Sequence, residues 1–458
     1  MRKLVLLVAA CIAAAMALPA VSGANGRPID GQYIVVLNDG ADLNDTVGDH
    51  RRNEHADVLM RYGAAVNGYA ARLSPAALER VKADPRVAYV QQDVEGVAIE
   101  GSKTGGGTTG GTTIQPSALP TGVNRIDAEI AAPSILADGA TAKQTAGDVA
   151  VFDTGVQSNH PDLNVAGGVN CLGTYSGHDG TINDQNGHGT HVAGTIGAKD
   201  NGTGVVGVAP GVRIWSVRTL NYIGSGSAST QLCGINWVTQ NGPALGIKYV
   251  NSSQSLFGKP NDNNCGYTAG DVLHQAICKS TQAGVLWVFA AGNSASTWSN
   301  AAGPSYPEVL SVTAMGDSNG TANIGSTQSF TCAPPGSRTA YTSEIDDKYT
   351  SFSVWASTSA IDIAHTIAAP GACIYSTWKD STYGFSSGTS MAAPHATAVA
   401  QRCMVAGQCP GTPAETIAKL RADAKAWSDA NPSYGFTGDP LRPVTGRYYG
   451  HLIRAAGY

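Results

Sequence analysis

Five short runs, apolar at nearly every position, constrain this chain most: Val149–Phe152, Ile214–Val217, Tyr249–Val250, Val285–Phe289 and Val309–Val312. Helical stretches separate them. A strand that is apolar on both sides has to be covered on both sides, which is the environment of a parallel sheet between two helical layers. Strand alternating with helix predicts an α/β domain with a mainly parallel central sheet over residues 120–458. Ligands of such sheets bind beyond the carboxyl ends of the strands. That rule singles out Asp153, just after the first run, and Asn293, just after the fourth.

The region before this domain has a different texture. Tyr33–Leu37 reads as a strand ending at the turn signal Asn38-Asp39-Gly40. His50–Arg61 reads as a helix, Ala64–Leu73 as a strand, and Ser74-Pro75 opens a second helix with Ser74 as its cap. Val87–Gln91 closes the set. Residues 25–100 are therefore expected to form a small α+β domain. Residues 101–119 begin with a Gly- and Thr-rich run that predicts a flexible linker exposed to proteolysis.

The first 24 residues read as a secretory signal: Arg2 and Lys3, an apolar run from Leu4 to Leu18, then Ser22-Gly23-Ala24 as a cleavage site. That run is short for a membrane span, which needs ~20 apolar residues. The net charge of −5 argues against nucleic acid as a partner. Beyond Cys11, eight cysteines remain, and an even number in an exported chain predicts disulfides. Eight cysteines allow 105 pairings. The simplest assignment is sequential, 171–233, 265–278, 332–373 and 403–409.

Four segments carry the chemistry: Val151-Phe152-Asp153-Thr154-Gly155, Asn186-Gly187-His188-Gly189-Thr190-His191, Phe289-Ala290-Ala291-Gly292-Asn293, and Gly388-Thr389-Ser390-Met391-Ala392-Ala393-Pro394. A serine hydroxyl needs an adjacent base to act as a nucleophile. His188 can take the Ser390 proton, and Asp153 can hold the imidazole in the required tautomer. Ser390 opens an Ala-rich helix, where backbone N–H groups and the positive end of the dipole suit a developing oxyanion. Asn293 offers a second donor to it. Gly189 and Ala193 would let the His188 helix approach the sheet, and His191 is expected to be structural.

Together, and in the order Asp, His, Ser, these segments resemble the subtilisin-like serine proteases, the subtilases. The resemblance covers about residues 120–410, and the 25–100 region resembles a subtilase propeptide. It implies a three-layer subtilisin-like domain whose catalytic residues are Asp153, His188, Ser390 and Asn293. It also implies a structural calcium site, with Asp162 and Asn201 giving side-chain oxygens and Lys199, Thr203 and Val205 giving carbonyls, since a hard cation prefers oxygen. No organic cofactor is implied. Substrate would pair with a Ser-Leu-Gly-Gly strand, here Ser255-Leu256-Phe257-Gly258, so Ser255, Leu256 and Gly258 are assigned to substrate binding. The bulky Phe257 departs from that pattern. Asn319–Ser351 is an additional polar stretch with no functional account.

The expectation is a secreted, monomeric serine endopeptidase acting on proteins or peptides. It would be inhibited by its own propeptide and matured by self-cleavage near residues 95–120. A non-catalytic binding relative is disfavoured because all four catalytic residue types are present. An α/β-hydrolase esterase is disfavoured because the nucleophile segment lacks the closing glycine and the acid comes first in the chain.

Overall fold

In the computed structural model the described residues are 26–98, 119–130, 147–173, 180–332, 343–409 and 411–458. The expected signal and the Gly-rich linker lie outside them. The central sheet has eight strands. Seven are parallel, in the order β6 (Val165–Asn170), β7 (Ile214–Arg218), β5 (Asp148–Asp153), β9 (Ile247–Ser252), β10 (Leu286–Ala290), β11 (Leu310–Gly316) and β13 (Thr366–Pro370). The short β12 (Lys348–Tyr349) is antiparallel to β11.

Strand alternation assigns the two faces. Val149 and Val151 of β5 and Leu286 and Val288 of β10 pack with α3 (His188–Gly197) and α6 (Thr389–Val405). Ala150, Phe152, Trp287 and Phe289 pack on the other side with α4 (Ala228–Leu245) and α5 (Val272–Gln282). The result is three layers, as the doubly apolar runs require. A further helix, α7 (Pro413–Ala430), adds Ile417, Leu420 and Ala424 to the first core. The four disulfides follow the sequential pairing.

The N-terminal body runs β1 (Arg27–Leu37), α1 (Leu43–Asn53), β2 (Asp57–Tyr62), β3 (Gly68–Arg72), α2 (Pro75–Ala83) and β4 (Val87–Val97). The helix expected at His50–Arg61 is corrected. It starts at Leu43, because the Asp42 carboxylate caps the Asp45 N–H at 2.8 Å, and it ends at Asn53. The contiguous run Val58-Leu59-Met60 instead belongs to β2, paired with β3. Alternation again divides β1. Val35 and Leu37 pack with Leu78 and Val81 of α2, whereas Ile34 and Val36 join the core beneath α4 and α5. One whole face of this small sheet is therefore covered by the larger domain.

The contact between the two bodies is polar as well as apolar. Asp93 of β4, fully buried, accepts the Ser229 N–H at 3.0 Å in the first turn of α4. Gln91 accepts the Val272 N–H at 3.2 Å in the first turn of α5. Asn236 Oδ1 receives three backbone N–H groups, from Gly63, Ala64 and Ala65, at 2.8–3.1 Å. Helix N-termini leave unpaired donors, and here the small domain supplies acceptors to two of them.

Candidate active site

Asp153 is the last residue of β5, wholly buried, and His188 is the first of α3. His188 Nδ1 lies 2.8 and 3.0 Å from the two Asp153 oxygens. Gly189 makes this approach possible, since a Cβ there would sit 2.1 Å from the Gly155 carbonyl oxygen and 3.1 Å from Asp153 Cβ. Burial opposes the imidazolium, but the Asp153 charge and hydrogen bond outweigh it and hold the His188 pKa above the ordinary value. His188 Nε2 is buried with no hydrogen-bond partner among the described residues. Burial pushes the pKa of His191 down to about 3, and its Nε2 donates to the Ile374 carbonyl at 2.9 Å, so its role is structural as expected.

Asp184 was not singled out in the sequence, yet it sets the start of α3. Its carboxylate accepts from the backbone N–H groups of Asn186, Gly187 and Thr190 and from the Thr154 and Thr190 hydroxyls, all at 2.8–2.9 Å. An acid four residues before a helical histidine is the available signal, because N-termini attract carboxylates.

Ser390 enters from the first turn of α6. Its hydroxyl donates to the Ser253 carbonyl at 3.2 Å, and the Ser253 hydroxyl donates back to the Ser390 carbonyl at 2.8 Å. Asn251 at the end of β9 donates to that Ser253 hydroxyl, also at 2.8 Å. Asn293 follows β10. Its Oδ1 accepts the Thr389 N–H at 2.8 Å and the Thr389 hydroxyl at 3.0 Å. That fixes which end of the amide is oxygen and leaves Nδ2 as the donor end, beside Gly388. All four residues expected to carry the chemistry lie at or just beyond the carboxyl ends of strands or in the first turns of helices, and two of them, Asn293 and Ser390, share one small cleft. Ser253, Ser255, Asn293, Thr389 and Ser390 line it, together with Ala98 of the N-terminal body.

The tail of that body lies in the cleft as an added strand. β4 pairs antiparallel with β8 (Ser225–Ser227), Val97 opposite Ser225. Ala98 then donates to the Gly224 carbonyl at 2.9 Å and accepts the Ser255 N–H at 2.8 Å. Strand addition of this kind recognises main chain. Ser255 therefore lies where a substrate-binding residue was expected. Leu256 does not: it is fully buried in the core. Gly258 lies below, near Asp271 and Tyr306. The edge facing the tail is Ser253-Gln254-Ser255, two residues earlier than the sequence pattern suggested.

The loop assigned to calcium is held together by its own hydrogen bonds. Asp162 is buried, which raises its pKa. Its Oδ1 accepts from Asn201 Nδ2 at 3.0 Å, its Oδ2 from the Val205 N–H at 3.1 Å, and the Tyr383 hydroxyl bonds the same carboxylate. Asn201 Oδ1 accepts the N–H and hydroxyl of Thr203 at 3.0 and 2.7 Å. The Lys199 ammonium reaches the Pro161 carbonyl at 3.0 Å. The side-chain oxygens of Asp162 and Asn201 thus accept hydrogen bonds from within the loop and from Tyr383, which close the turn that holds Lys199, Thr203 and Val205.

Comparison with known proteins agrees with this geometry. Residues 146–436 match the model of the subtilase family, and residues 32–95 match that of peptidase inhibitor I9. Subtilisin E from Bacillus subtilis is 31% identical over 346 residues, covering 75% of this chain and 72% of that protein. The M-protease of Shouchella clausii is 30% identical over 365 residues, covering 78% and 75%. The crystal structure of a cold adapted subtilisin-like serine proteinase aligns over 75% of this chain and all of its own, with a TM-score of 0.50 and 26% identity. A three-layer parallel sheet carrying Asp, His and Ser at its carboxyl edge, with an inhibitor-like domain seated in the cleft, makes this chain a serine peptidase of the subtilase family with a peptidase inhibitor I9 domain ahead of it.

Proposed function

We propose that this subtilase is a secreted, monomeric endopeptidase, made as a precursor of signal (1–24), inhibitory propeptide (25–100), linker (101–119) and peptidase domain (120–458). It releases itself by self-cleavage just beyond the docked tail. The observation that carries the reading is the buried Asp153–His188 pair, whose Nε2 has no partner among the described residues. Ser390 Oγ turns from the Ser253 carbonyl to His188 Nε2, gives up its proton there and attacks the peptide carbonyl. His188 then passes the proton to the leaving amine. Asp153 accepts from Nδ1 and stabilises the imidazolium. The Ser390 backbone N–H and Asn293 Nδ2 receive the oxyanion, and Thr389 keeps that amide aimed.

His188 acts as a base only when neutral. Its pKa is raised, so activity should climb with pH and reach half its plateau above the ordinary histidine value of ~6.5. Casein hydrolysis by the matured protein between roughly pH 5 and 9 tests this. A flat profile, or no hydrolysis at any pH, would overturn the proposal.

Calcium has no part in this reading, because the Asp162 loop is closed by its own hydrogen bonds. Melting in EDTA and in millimolar calcium should therefore coincide. A cation bound to the native state alone would add ~2.7 kcal/mol at a hundred times its Kd, so a calcium-dependent rise in melting temperature would reinstate the site.

A further inference from the structure

We infer that Phe257 is a specificity wall that restricts the substrate residue occupying the place of Gly96 to glycine. This rests on the peptidase reading above and adds a substrate class to it. The tail residues alternate as in any strand. Val97 points outward and is 62% exposed, whereas Ala98 is fully buried. Gly96 therefore presents its missing side chain to the enzyme. A Cβ there would lie 3.1 Å from Phe257 Cε1 and 3.5 Å from Cζ, so even the first carbon needs the ring to give by a few tenths of an ångström, and a longer side chain asks for more room than that.

The wall is held from behind. Phe257 is buried, and its N–H donates to Gln231 Oε1 at 2.9 Å. Gln231, itself fully buried on α4, donates to the Ser255 carbonyl at 2.8 Å and to Gln254 Oε1 at 3.1 Å. Gln254 in turn donates to the Phe152 carbonyl at 2.9 Å. Moving the Phe257 backbone away would break a buried amide chain that also fixes the substrate-pairing edge, and such networks resist partial disruption.

The test uses peptides with the sequence of residues 91–104 and Gly, Ala, Leu or Phe at the Gly96 position, offered to the matured wild type and to Phe257→Ala. The wild type should cut the leucine peptide at roughly one tenth or less of the glycine kcat/KM, a loss in the range set by one misfitting apolar group. Phe257→Ala should bring the ratio close to one. Equal rates on both peptides by the wild type, or a ratio unchanged in Phe257→Ala, would overturn the wall.

A second readout needs no catalysis. In the full-length Ser390→Ala precursor, Gly96→Leu should speed amide exchange across Glu95–Ala98, and adding Phe257→Ala should slow it again. Failure to cut any peptide, the glycine parent included, would count against the peptidase reading. The exchange result would still decide the wall.

Discussion

The Ser390→Ala precursor is expected to stay at full length and to lose casein hydrolysis by about 10⁶-fold, a magnitude carried over from the serine of a subtilisin rather than derived from this chain. The size follows from the division of labour in the cleft. Without Oγ there is no covalent intermediate, and His188 Nε2 has no hydroxyl to deprotonate. What remains is oxyanion stabilisation and binding. The fold should be indifferent to the change. The lost bond to the Ser253 carbonyl is a single neutral one, of net value about 1 kcal/mol, and alanine suits a helical first turn. Intact mass and casein assays on both forms decide the matter. A wild type that loses roughly the first 100 residues while the variant loses only its signal establishes self-processing. A variant that is still trimmed beyond residue 98 means another protease does the cutting, and one that still digests casein removes Ser390 as nucleophile.

Arg125→Met should destabilise the peptidase domain by about 3–5 kcal/mol, the usual cost of stripping the partner from a buried charge. Arg125 is buried with two buried carboxylates, Asp347 at 2.8 Å and Asp317 at 3.7 Å. Its Nε donates to Asp347 at 2.9 Å, and Nη2 donates to the Tyr434 and Gly435 carbonyls at 2.6 and 2.7 Å. This gives the polar stretch from Asn319 to Ser351 a structural role: it delivers Asp347 to a guanidinium near the start of the peptidase domain. At ~2.1 cal/mol/K per residue of unfolding entropy, the loss corresponds to a melting temperature lower by about 4–7 °C.

The deficit should also depend on pH. Burial pushes the Asp317 pKa up to about 7, against the opposing Gly320 N–H and the Arg125 charge. A carboxyl with a raised folded pKa favours the native state only while protonated, so ionising it costs stability as pH climbs from about 4 to 7. Removing Arg125 raises that pKa further. The gap between wild type and variant should therefore be wider at pH 8 than at pH 5. Scanning calorimetry at both values tests this, and a gap that is constant or wider in acid would show that the guanidinium is not compensating these carboxylates.

Much of this protein was legible in its sequence because the decisive signals are local. A strand buried on both faces must be apolar throughout, which is why the positions of β5, β7, β9, β10 and β11 could be read from runs of two to five residues. Asp153, His188, Asn293 and Ser390 could be proposed because each sits in a short, chemically demanding segment, Asp153 and Asn293 at or after strand ends and His188 and Ser390 in the first turns of helices. Even the cysteine pairing followed the simplest order.

The misreadings fall where the deciding partner is far away in the chain. Val58-Leu59-Met60 forms a strand because β3 is there to pair with it. Asp162 and Asn201 have calcium-ligand chemistry one residue at a time, but donors from Val205, Thr203 and Tyr383 close the turn. The substrate edge lies two residues before the expected motif because Gln231, on another helix, sets the depth of that strand. Sequence alone determined the layers and proposed the catalytic residue types, since those depend on what each short segment must bury or react with. Only the tertiary structure decided the register of the cleft, the seating of the inhibitory tail and the closing of the loop, since those depend on which distant group arrives to take each hydrogen bond.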